Sequence, residues 1–429
     1  CKDDGSAGTL RSAVAAAPSG DTVDASALTS ASPSCAASKI TLTMGEIVVN
    51  KSSLTIKGPG KDKLTVTALY DNGVSSHQYE NRIFSHTGTG GLGIQNLTVR
   101  NGLQTGTFNP SRGGCIYSKG QVTLDGAIIS SCAARTTNSS AQGGGIFAQQ
   151  VQLTNSTVSG NYADAGANGD AAGGGIYDNG TIILTTSSVI SNYAGHAGRS
   201  VGDGGGIVSH GNGALVLYST IGNNTAGNQF GGWQMIANAT SHLSMYNSTI
   251  SGNHATHGLG GGLYAVVNTV EMTNSTIAFN TAQADDPAIA PGLSLAGTGS
   301  TPTAYLVSVL MSANVFGSSD TSHDATVVGM SENGSGNLIH IGQTFGLNQS
   351  GCPLLGPLRD NGGPTMTNAL LSGNPATARN PAIDRGLVRD YNDDQRGYTR
   401  LADFAPDIGA YEVQQDDIIF NDSFGDGCP

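Results

Sequence analysis

Histidine and acidic side chains are the residues of this chain that could support catalytic or metal chemistry. His196, His254 and His257 each follow a recurring asparagine, and Asp164 or Asp203 could complete a metal site with them. His254 and His257 are three residues apart in a segment without a helical signal, so nothing aligns them as a ligand pair. We therefore expect exposed loop histidines, no metal and no cofactor.

The acidic residues of the central region are not arranged like those of a glycosidase or a lyase. Residues 136–290 contain one basic residue, Arg199, and seven acids: Asp164, Asp170, Asp178, Asp203, Glu271, Asp285 and Asp286. Hydrolysis of a glycosidic bond needs paired carboxylates at a set separation. No pair of these acids recurs at one coil position in adjacent coils. We assign no catalytic residue, and a carbohydrate-active enzyme stays the alternative.

A glycine cluster that returns about every thirty residues sets the framework for these side chains. It begins at residues 113, 143, 173, 204, 231 and 260, and an Ile or Leu follows it in most copies. The second half of the repeat alternates apolar and polar residues, many of them β-branched, as in Val151 to Asn161. A period of two predicts strands, and a fixed repeat of this size is typical of a solenoid.

Each repeat is therefore predicted to form one coil of short strands that pair in parallel with the next coil, about 4.8 Å away. Stacking is required because one coil alone cannot bury its apolar face. We predict an all-β fold, a parallel β-helix (β-solenoid) of roughly ten coils. Its coils span residues 40–350, after an N-terminal cap over residues 1–39 and before a C-terminal cap over residues 351–412 and a tail over residues 413–429.

Asparagine recurs at one place in the repeat, at Asn161, Asn192, Asn224, Asn253 and Asn280. Asparagine tolerates the left-handed backbone conformation, and stacked amides can bond to each other along the axis. We predict an asparagine ladder. The alternative is glycan attachment, because triplets such as 155–157 match the acceptor pattern.

Aromatic residues recur one place after the inward Ile or Leu, at Tyr117, Phe147, Tyr177 and Tyr264. They could form a ladder of rings between coils about 4.8 Å apart. The alternative is an exposed row that stacks on sugar rings of an extracellular polysaccharide.

The composition limits the classes of partner. Only 12% of the residues are charged and the net charge is −12, so no basic stripe is present to bind a nucleic acid. The sequence has no run of eighteen apolar residues, so no membrane span is predicted.

The six cysteines suggest an oxidising compartment. The candidate disulfides are Cys1–Cys35, Cys115–Cys132 and Cys352–Cys428, and fifteen pairings are open to six cysteines. The middle pair has support, because Cys115 replaces the third glycine and Cys132 replaces the ladder asparagine in the same coil. Two buried thiols are the alternative.

The N-terminal residues predict a short helix over Gly8 to Ala17. Thr9 is a candidate N-cap, and Pro18 to Gly20 end the helix. An open solenoid end exposes core and strand edges, so we assign this helix to the N-terminal cap.

These segments also resemble known proteins. The opening Gly5 to Val14, followed by Gly20 to Val23, resembles the start of bacterial secreted right-handed parallel β-helix proteins. The repeats are similar to those of polymorphic outer-membrane proteins. The C-terminal part resembles the choice-of-anchor Q domain through four motifs, namely Asp360 to Thr365, Asn380 to Gly386, Asp394 to Gly397 and Asp407 to Glu412. The resemblance implies a right-handed coil and a secreted or surface location, and it implies no single reaction.

The C-terminal motifs concentrate Asp and Arg, which we interpret as bidentate pairs that hold loops over the end of a core. The tail lacks a Leu-Pro-x-Thr-Gly sorting motif, and its Ile418, Ile419, Phe420 and Phe424 could add as an edge strand to a neighbouring molecule. We therefore expect a non-catalytic secreted or cell-surface structural or adhesive protein whose partners are itself, in a filament or end-to-end oligomer, and extracellular polysaccharide. A glycan-binding module is a further alternative.

Overall fold

The computed structural model describes residues 1–28, 35, 38–68, 81–106, 109–166, 169–283, 286, 289–317, 323–342, 345, 347–349, 351–371, 380–388, 391–402 and 404–414. The chain divides into two units: Cys1–Ile183 with Val189–His210 form unit 1, and Leu184–Ser188 with Gly211–Pro429 form unit 2. Both units are built from stacked coils. The fold is the predicted all-β parallel β-solenoid of about ten coils.

Most coils carry four short strands. The first strands are Ile47–Val49, Phe84–His86, Ile116–Ser118, Ile146–Ala148, Ile176–Asp178, Ile207–Ser209, Trp233–Ile236, Leu263–Val267, Leu293–Gly297 and Ala325–Val328. The second strands are Thr22–Asp24, Leu54–Lys57, Gly91–Gln95, Gln121–Asp125, Gln150–Thr154, Thr181–Thr185, Gly213–Leu217, His242–Tyr246, Thr269–Thr273 and Thr303–Val307. The third strands are Lys39–Thr41, Thr65–Thr67, Thr98–Arg100, Ile128–Ser130, Thr157–Ser159, Ser188–Ile190, Thr220–Gly222, Thr249–Ser251, Thr276–Ala278 and Leu310–Ser312.

The fourth strands precede the next glycine cluster. They are Leu103–Gly106, Ala133–Thr136, Tyr162–Asp164, Tyr193–Ala194, Thr225–Ala226, His254–Ala255, Thr281–Ala282 and Val315–Phe316. The remaining strands are Ser111–Arg112, Ala141–Gln142, Ala171–Ala172, Ser331–Ile339, Leu347–Gln349, Leu355–Arg359 and Thr367–Leu370. Thr22–Asp24 pairs with Leu54–Lys57, so the first coil begins inside the segment predicted as the N-terminal cap.

The core is a stack of aliphatic side chains in register. In unit 1, Val122 pairs with Leu92 on one side and with Val151 on the other, and all three are buried. Alternation along each strand sends these side chains inward and the polar ones outward. Each buried Val or Leu contributes about 1.5–3 kcal/mol relative to an exposed one, so repeating the pattern coil after coil stabilises the whole stack.

The glycine cluster is required by the close approach of neighbouring coils. Gly143 has φ +64, a conformation that side chains disfavour. A Cβ on Gly144 would lie 2.3 Å from the carbonyl oxygen of Gly174 in the next coil. The glycines therefore recur at the positions where the backbones of neighbouring coils are in contact.

The predicted helix is present as Leu10–Ala16. The hydroxyl of Thr9 accepts a hydrogen bond from the amide of Ser12 at 3.3 Å, which confirms the N-cap. Leu10 and Val14 are buried on its inner face.

The asparagines of the predicted ladder bond to each other along the axis. In unit 1, Asn161 donates its Nδ2 to Oδ1 of Asn192 at 2.9 Å, and its own Oδ1 accepts from the amide of Cys132. In unit 2 the column runs from Asn224 through Asn253, Asn280 and Asn314 to Asp324. The left-handed conformation expected of these asparagines belongs to the residue before each one, such as Ser191 before Asn192 and Asn223 before Asn224.

Two disulfides join the predicted pairs. Cys1 bonds to Cys35 and Cys115 bonds to Cys132, with Cα atoms 5.0 and 5.4 Å apart. Cys428 lies outside the described residues, so the pair Cys352–Cys428 stays a prediction.

Replacing one ladder asparagine should destabilise the fold strongly. Asn253 donates to the carbonyl of Ile221 and to Asn280, and it accepts two hydrogen bonds from Asn224. We expect Asn253→Ala to lower the free energy of unfolding by about 3–5 kcal/mol, because the partners stay buried without replacement. Urea unfolding measures this, and the exposed Asn333→Ala is the control. Equal urea unfolding midpoints for Asn253→Ala and Asn333→Ala would show that the ladder does not stabilise the fold.

Candidate functional site

The recurring aromatic rings stack on each other and are largely covered. In unit 1 the centroids of Tyr117 and Phe147 are 5.6 Å apart, and those of Phe147 and Tyr177 are 5.3 Å apart. The guanidinium of Arg112 lies 5.0 Å from the Phe147 centroid. Only 5% of Phe147 and 9% of Tyr177 is exposed, so little ring surface is open to a sugar in this row.

The fourth predicted aromatic residue lies in unit 2. Tyr264 stacks on Phe230 with centroids 4.4 Å apart. Tyr264 is partly exposed. A role of these four residues in glycan stacking stays a prediction.

One predicted histidine meets a predicted acid. The Nδ1 atom of His196 lies 2.8 Å from Oδ1 of Asp164, and Nε of Arg135 lies 3.8 Å from the other carboxylate oxygen. Burial raises the pKa of the Tyr193 phenol, and the charge of Asp164 raises it further. This half-exposed cluster on the outer side of the fourth strands combines a base, an acid and a cation.

The other two histidines lie in unit 2 and face other partners. Nδ1 of His254 lies 2.6 Å from the hydroxyl of Thr281, and burial lowers the pKa of His254. His257 donates through Nδ1 to the carbonyl of Gly227 at 2.8 Å. Among the described residues, no three His, Cys, Asp or Glu side chains gather as metal ligands would.

The charged C-terminal segment, residues 351–414 as far as they are described, lies along the side of unit 2. The carboxamide of Gln395 contacts the hydroxyls of Thr249 at 2.6 Å and Thr220 at 2.9 Å. The amide of Ala410 donates to the hydroxyl of Thr276 at 2.9 Å. In the next coil, Ser308 accepts at its carbonyl from the amide of residue 409.

We expected the segment to hold loops over the end of a core. These contacts place it on the side of the coils. The outward threonines of the third strands present hydroxyls at a constant spacing, and the segment bonds to them in successive coils. Apolar packing adds to these bonds, since Leu310 of a third strand is buried against Ile408 and Tyr411. The segment therefore binds the lateral face of four neighbouring coils.

The Asp and Arg motifs of this segment form a buried charge cluster. Nε of Arg396 lies 2.8 Å from Oδ2 of Asp394, with side chains 1% and 0% exposed. The guanidinium carbon of Arg396 lies 3.6 Å from the ring centroid of Tyr411. Arg400 donates to Oδ1 of Asn247 at 2.8 Å and lies 3.8 Å from Glu412. The charge pairs that we expected between Asp and Arg are therefore present in Arg396 and Asp394, and their bidentate geometry stays a prediction.

Acids outnumber cations in this cluster. Among the described residues, Asp394, Asp407 and Glu412 are buried with two buried cations, Arg396 and Arg400. Burial raises the pKa of Asp407 and of Glu412, and the negative charge of Asp407 raises that of Glu412 further. The cluster is therefore most stable with a bound proton.

Asp178 is a second buried acid, inside a coil of unit 1. It is 0% exposed, and neither carboxylate oxygen accepts a hydrogen bond of normal geometry. Burial raises its pKa to about 7, with partial compensation from the amide of Gly180. Ser209 occupies the same register position in the following coil, where a small neutral side chain avoids this penalty.

The predicted assembly strand with Ile418, Ile419, Phe420 and Phe424 lies outside the described residues. No helix among the residues that the structure describes is long and apolar enough to cross a membrane. Comparison of the chain with protein families, with curated proteins and with solved structures finds no match.

Asp178 should make the stability of the protein fall with rising pH. A pKa raised from 3.8 to about 7 in the folded state means that this stability is full below pH 3.8 and lost as the pH passes 7. Asp178→Asn should therefore exceed wild type by a few kcal/mol at pH 8 and match it near pH 4. Urea titrations at both pH values check this, with the exposed Asp62→Asn as control. A constant difference at both pH values would contradict it.

Glu412 should add a second loss of stability at higher pH. Its pKa is raised from 4.5 to about 9 in the folded state, so the stability that it contributes is full below pH 4.5 and is lost as the pH rises through about 9. We expect Glu412→Gln to flatten the fall in thermal midpoint between pH 6 and 9, since an amide keeps the acceptor for the amide of Asp407. Asp360→Asn, an exposed change in the same segment, should leave the slope of wild type. A slope unchanged in the Gln variant would show that Glu412 is ionised throughout.

Proposed function

We propose that this chain is a non-catalytic β-solenoid, secreted or displayed on a bacterial cell surface, that acts as an extracellular structural or adhesive building block. The observation that carries the proposal is the burial of its most concentrated charges, Asp394, Arg396, Arg400, Asp407 and Glu412. Buried and paired groups cannot reach a substrate. We therefore assign the cluster to fastening the C-terminal segment to the coils.

An extracellular location is supported by two lines of argument. The disulfides Cys1–Cys35 and Cys115–Cys132 persist in oxidising compartments. The opening residues resemble bacterial secreted parallel β-helix proteins, and the C-terminal motifs resemble a choice-of-anchor Q domain. Both lines of argument favour a secreted or surface-displayed protein.

We assign self-assembly to the tail. Gln414, the last described residue, donates from Nε2 to the carbonyl of Thr399 at 3.2 Å, so the tail starts beside the C-terminal segment. Its Ile418, Ile419 and Phe420 have the β-branched and aromatic character of an edge strand, and strand addition to a neighbour would join molecules into a filament.

Electron microscopy of the secreted protein at low concentration tests this proposal. We expect regular filaments. A chain that ends at Gln414 and carries Cys352→Ser should stay folded by circular dichroism and form no filaments, because the joining strand is gone. The full chain with Cys352→Ser and Cys428→Ser is the matched control, and it should still assemble.

Two outcomes contradict the proposal in different ways. Filaments of the shortened chain would exclude the tail as the joint. Dispersed wild-type particles would favour a carbohydrate-active enzyme, for which the 2.8 Å contact of His196 with Asp164 is the specific observation. A polysaccharide degradation screen of wild type against His196→Ala would then decide, since a general base in the reaction must be lost with the imidazole.

A further inference from the structure

A polar pocket of about 400 Å³ opens on the surface of unit 1. Three stretches from different coils line it, Met44 to Glu46, Asn81 with Arg82, and Leu103 to Thr105. Its volume lies in the lower part of the range of small-molecule sites, about 300–1,000 Å³. None of its lining residues belongs to the His196 cluster or to the C-terminal segment.

Arg82 fixes one wall of this pocket. Its Nη1 donates to Oε2 of Glu46 at 2.7 Å, while Nε and Nη2 donate to the carbonyls of Gly113 and Arg112 at 2.8 Å. The guanidinium lies 5.2 Å from the ring centroid of Tyr117, and Arg82 is only 9% exposed. Every face of the cation is therefore occupied, and Glu46 is held in one position.

The N-terminal residues fix the backbone of the Met44 to Glu46 stretch. Arg11 donates to the carbonyls of Gly45 and Glu46 at 2.6 and 2.8 Å. Its guanidinium also binds both carboxylate oxygens of Asp3, and Asp3 accepts from the amides of residues 43 and 44. The backbone of the pocket is thus clamped by charge-assisted hydrogen bonds, which are about twice as strong as neutral ones.

Several polar groups remain for a ligand inside this rigid frame. Glu46 uses one carboxylate oxygen for Arg82, and its side chain is 32% exposed. Within the described part of the chain, no protein group bonds to the side-chain amide of Asn81. Gln104 donates its Nε2 to the carbonyl of Thr105, which leaves its Oε1 as an acceptor. Met44, 56% exposed, supplies an apolar surface beside them.

The electrostatic balance selects the class of ligand. The two cations of the walls are each matched by a carboxylate, Arg82 by Glu46 and Arg11 by Asp3. Among the described residues that line the pocket, no cation without a carboxylate partner is left to hold a phosphate, a sulfate or a uronate. Carboxylate and amide groups that stand side by side match adjacent hydroxyls, each of which donates and accepts a hydrogen bond.

We infer that this pocket binds a neutral sugar unit of an extracellular polysaccharide. Glu46 and Gln104 accept from ring hydroxyls, the amide of Asn81 donates to them, and Met44 packs on the apolar side of the ring. The site goes beyond the structural role proposed above, because it gives the solenoid a specific contact with a glycan.

Saturation-transfer NMR on the intact protein tests this inference. The probes are the neutral hexasaccharides of maltose, cellulose, mannan and xylan type, with hexagalacturonate as the acidic comparison. We expect at least one neutral probe to bind with a Kd below about 10 mM. The double variant Asn81→Ala with Gln104→Ala should bind about tenfold more weakly, because two hydrogen bonds are lost.

Matched controls separate this pocket from the rest of the surface. Gln95→Ala with Gln150→Ala removes two side-chain amides from the outer face of the second strands in the same unit, and binding should not change. Circular dichroism checks that both double variants stay folded. The inference is overturned if no neutral probe binds, if only hexagalacturonate binds, or if the pocket variant binds as tightly as wild type.

Discussion

Parallel pairing at constant register is the constraint on which the rest of this structure depends. The strand residues of one coil pair in register with the strand residues of the next coil, so the strands of successive coils follow the same path. The consequence is that every inward position is repeated along the axis. Val122 packs between Leu92 and Val151, Asn161 bonds to Asn192, and Gly144 lies where a Cβ would meet Gly174.

The same constraint explains where charge can be placed. A buried carboxylate on a strand has the residues at the same position of the two adjacent coils as its cross-strand neighbours. Asp178 meets Ala148 and Ser209, neither of which is a cation, and its pKa rises accordingly. The C-terminal segment escapes this limit because it does not follow the coil path. It can bring Arg396 and Arg400 against Asp394 and Glu412, which a repeating strand could not arrange.

The fold could be predicted from the sequence because the repeat records the register directly. The glycine cluster, the alternation of Val151 to Asn161 and the paired departures at Cys115 and Cys132 each report a contact one coil away or within one coil. The pocket could not be predicted in this way. Glu46, Asn81 and Gln104 do not belong to a repeated motif, and their proximity follows from irregular connections whose lengths differ between coils.

The C-terminal segment illustrates a different limit of sequence analysis. Its Asp and Arg motifs are conspicuous, but the motif that contains Gln395 does not indicate its contacts with Thr249 and Thr220, which lie 146 and 175 positions earlier. Because strand side chains alternate, a slip of one residue in either of these coils would turn the threonine inward and remove a hydroxyl that bonds to Gln395. The C-terminal segment can therefore dock only on coils whose third strands are in the correct register, so its attachment depends on the pairing of residues far away in the sequence.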